Sequence, residues 1–399
     1  MISIQSNAFT LPYTFFREPP EKVIPELKQY GFSGINLALN YHSSRDLLLR
    51  QGPQLEYLAD GFHYYKSNYQ MYSGDALKPD LRDQSPSNDL IDSVILVAKT
   101  NDFQVNAWAV YLHNSAIGMA HPETVVTNVF GNRFLSELCP ANPQVAGYAL
   151  GMTRDLCNLG IAGIRAESLH FHGARHGEHH ERFFIELSQV SEFLFALCFC
   201  DHCKKNYQAE HSELGNLVQS VKSKLTHVFE DRDPWIGKKL SKELLAEIIG
   251  PNILDYLLTR EKSVSNLYRK IKDITQELEV SFTFVDQAPL LDLDSANASQ
   301  NSWQVGIDNS QIKQFVDRFA PLIYRRQSDQ VVALTNDYLK NTANEINAIL
   351  RPTFPDCTTF ENLAAKVKNL VGLGVSEIDF YLLDTMRKRD LDNIRQVLN

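Results

Sequence analysis

Three of the six cysteines, Cys198, Cys200 and Cys203, fall within the stretch "ALCFCDHCKK". A C-x-C-x₂-C run offers three thiolates from a single loop and turn, and zinc takes four Cys or His ligands in a tetrahedron. The expected fourth ligand is Cys139 in "ELCPANP", with His202 inside the run as the alternative. Cys157 and Cys357 sit in apolar surroundings and are expected to be inert thiols. The plainer reading is that small apolar cysteines simply pack a core. If metal binds, four protein ligands close the coordination sphere, so the expected cofactor is a structural zinc held by Cys139, Cys198, Cys200 and Cys203.

A second group of residues could act on a substrate. Glu167 closes the apolar run "GIAGIRAE", which puts a carboxyl where only a pocket, a partner or an ion pair with Arg165 or a nearby histidine would tolerate it. Acid/base chemistry on a glycosidic bond needs two carboxyl groups in different protonation states. Asp286, at the end of "VSFTFVD", is the expected catalytic partner of Glu167, followed by Asp384 in "FYLLD" and Asp46 in "YHSSRD".

Histidines crowd into "HFHGARHGEHHER", which carries five of the twelve in the chain. The spacing is not H-E-x-x-H, so a zincin-type metal is not implied. Substrate binding is expected from His170, His172 and His176, with the alternatives of a solvated loop or a metal-binding tract. Further substrate-binding candidates follow other apolar runs: His42 and Arg45, His113 and Asn114, Tyr324, Arg351 and Tyr381. Arg45, Arg325 and Arg351 together could clamp a carboxylate, since a guanidinium reads carboxylates through paired donors. Taken singly, each reads as a surface ion pair. Trp108 is expected in the core.

These residues need a scaffold that gathers strand ends at one place. Apolar strand-like runs alternate with helical patterns: "GINLALN", "FQVNAWAVYL", "GIAGIRAESL", "VSFTFVD", "RFAPLIY", "NAILRPTF" and "SEIDFYLL", with an opening strand within residues 2–15. Eight strand–helix units predict an α/β fold of the (β/α)₈ TIM-barrel type, with active-site loops at the carboxyl ends of the strands. An open doubly wound sheet is the competitor, but no Gly-rich phosphate fingerprint follows any strand. Two insertions are expected. Residues 41–86 are polar and aromatic, and 170–278 form a long, mostly helical insertion after the fourth strand that the zinc would pin to a single 1–399 barrel domain.

The formal charge of −9 and the shortness of "KKLSK" and "MRKRD" argue against nucleic acid as a partner. No apolar stretch is long enough to span a membrane, and "MISIQSNAFTLPYTFFREPP" lacks the charged and apolar regions of a signal peptide. A cytoplasmic location is therefore expected, where thiols stay reduced and metal is the favoured explanation of clustered cysteines. There is no G-x-S-x-G elbow and no Walker loop.

An upstream Cys139 followed by "CFCDHC" shortly after a strand ending in Glu167 resembles the zinc cluster of family forty-two β-galactosidases. In that family the fourth strand ends in a catalytic glutamate. The resemblance therefore implies a glycoside-hydrolase-like barrel with a structural zinc, in which Glu167 serves as general acid or nucleophile. The chain departs from the pattern at two places. Ala166 stands where the family has Asn, and "NAILRPTF" offers Arg351 where the family carries its seventh-strand glutamate nucleophile. The implied activity is cleavage of a glycosidic bond in a small carbohydrate. The alternatives are a metal-dependent barrel lyase or isomerase and a non-catalytic sugar-binding barrel. The expected partners are a small carbohydrate and, as an option, a second copy of the chain in a homo-oligomer.

Overall fold

Short strands whose residues are buried on both faces recur along the chain, and in the computed structural model they lie side by side and parallel. The structure describes residues 4–79, 89–175, 181–342 and 345–398. The strands are β1 (Asn7–Thr10), β2 (Gly34–Tyr41), β3 (Gln104–Val110), β4 (Gly163–Glu167), β5 (Ser281–Asp286), β6 (Arg318–Pro321), β7 (Glu345–Leu350) and β8 (Glu377–Phe380). Each pairs with the next, and β1 also pairs with β8 through Ala8 and Phe380, so the sheet closes. This is the expected (β/α)₈ barrel.

The crossovers are helical for the usual reason: apolar residues recur at helical spacing and face the strands. In α1 (Pro20–Gln29) the buried side chains are Pro20, Val23, Ile24 and Leu27, and in α2 (Leu90–Thr100) they are Ile91, Val94, Ile95 and Ala98. The start of α3 (Pro143–Cys157) is set by Asn142, whose side chain accepts a hydrogen bond from the Gln144 N–H, with Pro143 in the first turn. The β4–β5 crossover is the 26-residue α4 (Asn252–Glu277). That helix lies inside the expected 170–278 insertion, so the added helices are those before Pro251, including Gln189–Ala196, Asp201–Gln208 and Leu214–Glu230. The β5–β6 connection holds short helical turns at Ala288–Leu291 and Ala298–Val305 and the one-turn helix α5 (Asn309–Ile312). The remaining crossovers are α6 (Ser328–Thr342) and α7 (Phe360–Gly372), and α8 (Lys388–Leu398) follows β8. Among the described residues, no helix is long and apolar enough to cross a membrane.

Side chains alternate along each strand between the barrel interior and the helical shell. The interior has two layers. The lower one is polar: Asn7, Asn36, Asn106, Arg165, Thr283, Asn347, Glu377 and Asp379 are all buried. Arg165 donates to Glu377 at 2.5 Å and to Thr283 at 2.6 Å, while Asp379 accepts from Asn36 at 2.6 Å and from Asn347 at 2.8 Å. Gly34 and Gly163 leave the space this layer needs: a Cβ on Gly34 would meet the Asn7 Oδ1 at 2.6 Å, and one on Gly163 the Ser281 Oγ at 2.1 Å. The upper layer is apolar and aromatic, and includes Phe9, Trp108, Val285, Ala320 and Ile349.

Two hairpins rise above the carboxyl ends of the strands. Within the expected 41–86 wall, Ser44–Leu48 pairs antiparallel with Gln54–Leu58, and Phe62–His63 adds antiparallel to the end of β2. After β3, Val125–Thr127 pairs with Arg133–Leu138. This second hairpin lies outside both expected insertions.

Candidate functional site

Glu167 and Arg165 share one face of β4, so both enter the barrel, but at different levels. Arg165 is committed to the polar layer below and does not pair with Glu167. The Glu167 side chain stands at the mouth instead. Its Oε1 accepts from the Gln287 side-chain amide at 2.7 Å, and its Oε2 accepts from the Trp108 indole N–H. Burial pushes its carboxyl above the usual range, while the nearby His42 and the two donors pull the other way. Ser168, directly after it, has a φ of 55°, which turns the chain sharply off the strand end.

Glu167 borders a cavity of about 410 Å³ whose wall also holds Phe9, Asp46, Gln287, Tyr324, Arg351 and Tyr381. Aromatic rings form a collar there. Trp108 meets Phe9 edge-on at 5.1 Å, Tyr41 at 4.6 Å and Tyr381 at 5.7 Å, and Tyr324 lies 5.8 Å from Tyr381. The Tyr41 and Tyr381 hydroxyls are 3.4 Å apart. The Arg351 guanidinium covers the Tyr324 ring at 4.3 Å and faces Asp356, with Nε 3.3 Å from Oδ2. Asp46 reaches the mouth because its hairpin is tied to the turn after β8, where the Leu49 N–H donates to the Asp384 carbonyl at 2.9 Å. Its own carboxylate accepts from Ser44 Oγ at 2.6 Å.

The structure brings some predicted residues together and separates others. Tyr324, Arg351 and Tyr381 line the cavity with Glu167. His42, His113, His172 and His170 form a row, with successive ring centroids 4.8, 5.9 and 5.0 Å apart. Burial lowers the pKa of His170 to about 4, although its bond to the Phe171 carbonyl opposes the shift. Asn114 is a helix cap, its Oδ1 accepting from the Ile117 N–H at 2.9 Å. Arg45 is exposed on the hairpin and does not border the cavity. Arg325 is buried and spent on main-chain carbonyls, including that of Pro289 at 3.0 Å. His176 lies outside the described residues.

Asp286 stands apart from Glu167. It shares strand parity with Phe282 and Phe284, which face the helical shell. Its oxygens accept from the Tyr338 hydroxyl at 2.7 Å and the Ala288 N–H at 2.8 Å, and burial raises its pKa to about 6. Asp384 is likewise internal, accepting from the Leu11 N–H at 2.8 Å and Thr14 at 2.7 Å. Gln287, which the sequence reading overlooked, takes the inward place beside Thr283 and Val285. Continuing the strand alternation one step past Asp286 points to it.

Cys139, Cys198, Cys200 and Cys203 form one buried group with all four sulfurs within 4.8 Å of one another. Cys139 lies 3.6 Å from both Cys200 and Cys203, and 3.7 Å from Cys198. Zn–S bonds of about 2.3 Å in a tetrahedron put sulfurs roughly 3.8 Å apart, so the donor set and spacing fit a four-thiolate metal. His202 is not part of the group. The cluster joins the end of the Arg133–Leu138 hairpin to the start of helix Asp201–Gln208.

No protein-family profile matches the sequence, and no curated protein sequence matches it. Solved structures share its fold. The β-galactosidase from the psychrophilic Marinomonas ef1 superposes with a TM-score of 0.56 at 8% identity, covering 99% of this chain and 59% of that one. The α-L-fucosidase isoenzyme 2 from Paenibacillus thiaminolyticus gives 0.55 at 10%, covering 99% and 48%. The catalytic domain of the β-amylase from Paenibacillus polymyxa gives 0.55 at 10%, covering 100% and 98%. The chain thus spans between about half and three fifths of the first two enzymes, and nearly all of the amylase domain. At these identities the likeness shows the (β/α)₈ barrel fold.

Proposed function

We propose that the barrel mouth binds a small saccharide or glycoside and that Glu167 donates the proton that lets the leaving group depart. The observation carrying this reading is a half-buried carboxyl at the end of β4, oriented by Trp108 and Gln287 inside an aromatic-walled cavity. Burial favours the protonated form that a general acid needs. Aromatic faces with interspersed polar groups suit a sugar ring, which has both apolar and hydroxylated surfaces. Asp46, in the same wall, is the carboxylate placed to act as the second group, in place of Asp286. On a panel of aryl glycosides, Glu167→Gln is expected to lose at least ~100-fold in kcat/KM, the scale of a general acid. Turnover equal to wild type would remove Glu167 from the chemistry.

One observation favours a second reading. Arg351 and not a carboxylate projects into the cavity from β7, which suits a barrel that binds saccharides without cleaving them. Ligand-induced thermal stabilisation with no turnover of any glycoside would select it. We further propose that the metal of the four-cysteine cluster is zinc in a structural role. Cysteine-only tetrahedral sites leave no position open for substrate.

A further inference from the structure

Helix α4 carries an arginine in a place where a buried cation is costly. Arg260 is 3% exposed and lies over the Phe171 ring at 4.4 Å. Its Nη2 reaches the Gln304 carbonyl at 3.4 Å, a weak contact, and its Nε and Nη1 have no hydrogen-bond partner. Among the described residues, two nitrogens of this buried guanidinium find no acceptor for the hydration they lose, and longer-range attraction from the Cys198, Cys203 and Glu261 side chains favours the charge. The neighbouring carboxylates are already engaged: Glu192 by Arg175, and Glu261 by Lys242 at 2.9 Å. Beside Arg260 is a cavity of about 190 Å³, also bordered by His172, Gln189 and Gln304.

We propose that this cavity is an oxyanion site, in which Arg260 receives the carboxylate or phosphate of a small sugar acid or sugar phosphate. The cavity adjoins the barrel mouth. Leu291 borders it and Leu290 borders the Glu167 cavity, and His172 stands in the histidine row that begins at His42. An anionic ligand would therefore lie next to the saccharide site, which makes the substrate class acidic. That last step rests on reading the mouth as a saccharide site; anion binding itself does not.

Calorimetry and thermal unfolding with D-glucuronate, glucose 6-phosphate and neutral glucose test the assignment on wild type, Arg260→Met and Arg260→Lys. At least one of the two anions should bind and raise the melting temperature where glucose does not. Affinity should fall about ten- to a hundred-fold in Arg260→Met, the scale of hydrogen bonds to a charged group, and less in Arg260→Lys. Preference between glucuronate and glucose 6-phosphate identifies the oxyanion. Equal stabilisation by glucose, no anion binding to wild type, or unchanged affinity in Arg260→Met would overturn the proposal. The last result, together with altered metal content, would make Arg260 a counter-charge to nearby Cys198 and Cys203. If Arg260→Met does not fold, the comparison of wild type with Arg260→Lys decides. Anion binding is read without turnover, so failure of the hydrolase reading leaves this site standing.

Discussion

Glu167 and Asp286 both end barrel strands, yet one residue of parity gives them opposite surroundings. Glu167 faces the cavity, with donors on both oxygens. Asp286 faces the helical shell, bonded to Tyr338 and Ala288. The pH dependence of stability distinguishes a buried structural carboxyl of this kind. Its pKa is about 6 in the folded chain and 3.8 ordinarily. Between those values the folded state keeps a proton that the unfolded chain has released, so its contribution to stability falls as pH rises through that window. Asp286→Asn does not titrate, and the Tyr338 hydroxyl can reverse its role to accept from the new amide. Denaturant unfolding at several pH values should therefore show the variant gaining on wild type between about pH 4 and 6. Its glycoside turnover should stay near wild type, whereas a large loss of kcat would return Asp286 to the chemistry.

At the level of elements, the eight strands were legible because each is a short β-rich run next to a helical pattern. The direction of individual side chains was less so. In "VSFTFVDQ" the run of apolar residues hides the alternation, and Gln287 emerges only when Thr283, Val285 and Gln287 are read as one face. The Val125–Thr127/Arg133–Leu138 hairpin has no adjoining helical pattern to mark it as part of the barrel, although "FGNR" marks a turn between two β-rich runs. The polar lower layer was also hidden, since its asparagines and acids come from different strands and meet only when the barrel closes. That layer yields a prediction about the scaffold. Glu377→Leu leaves Arg165 without its 2.5 Å partner in a buried layer. Removing one member of a buried ion pair costs about 3–5 kcal/mol, partly offset here by Asp379, 4.0 Å from the Arg165 Nε. Urea unfolding should show a matching drop. A change below about 1 kcal/mol, the ordinary scale of an exposed pair, would mean the layer is hydrated.

Across the whole molecule, local sequence spacing proved informative where ligands cluster and uninformative where loops fold over the mouth. Three cysteines in one turn announced a metal-type site, and Cys139 joins them through the hairpin after β3. The reach of Asp46 over the barrel depends on main-chain bonds to the turn after β8, which no spacing encodes. Because the cluster ties the hairpin after β3 to the added helices after β4, losing the proposed zinc should loosen both. Cys200→Ser is expected to abolish stoichiometric zinc by elemental analysis and to lower the melting temperature. Glycoside turnover should fall only with the folded fraction. A metal-free wild type of unchanged stability would reduce the cluster to core packing.

If Glu167 gives a proton to the departing group, as proposed, leaving-group dependence reveals it most directly. Wild type and Glu167→Gln would be compared on glycosides of one sugar whose aglycones range from dinitrophenol to a simple alcohol. A leaving group that departs as a stable anion needs no proton. The loss should therefore be small for dinitrophenyl glycosides and at least ~100-fold for alkyl glycosides. An equal loss across the series would contradict that role and assign Glu167 to binding or nucleophilic attack.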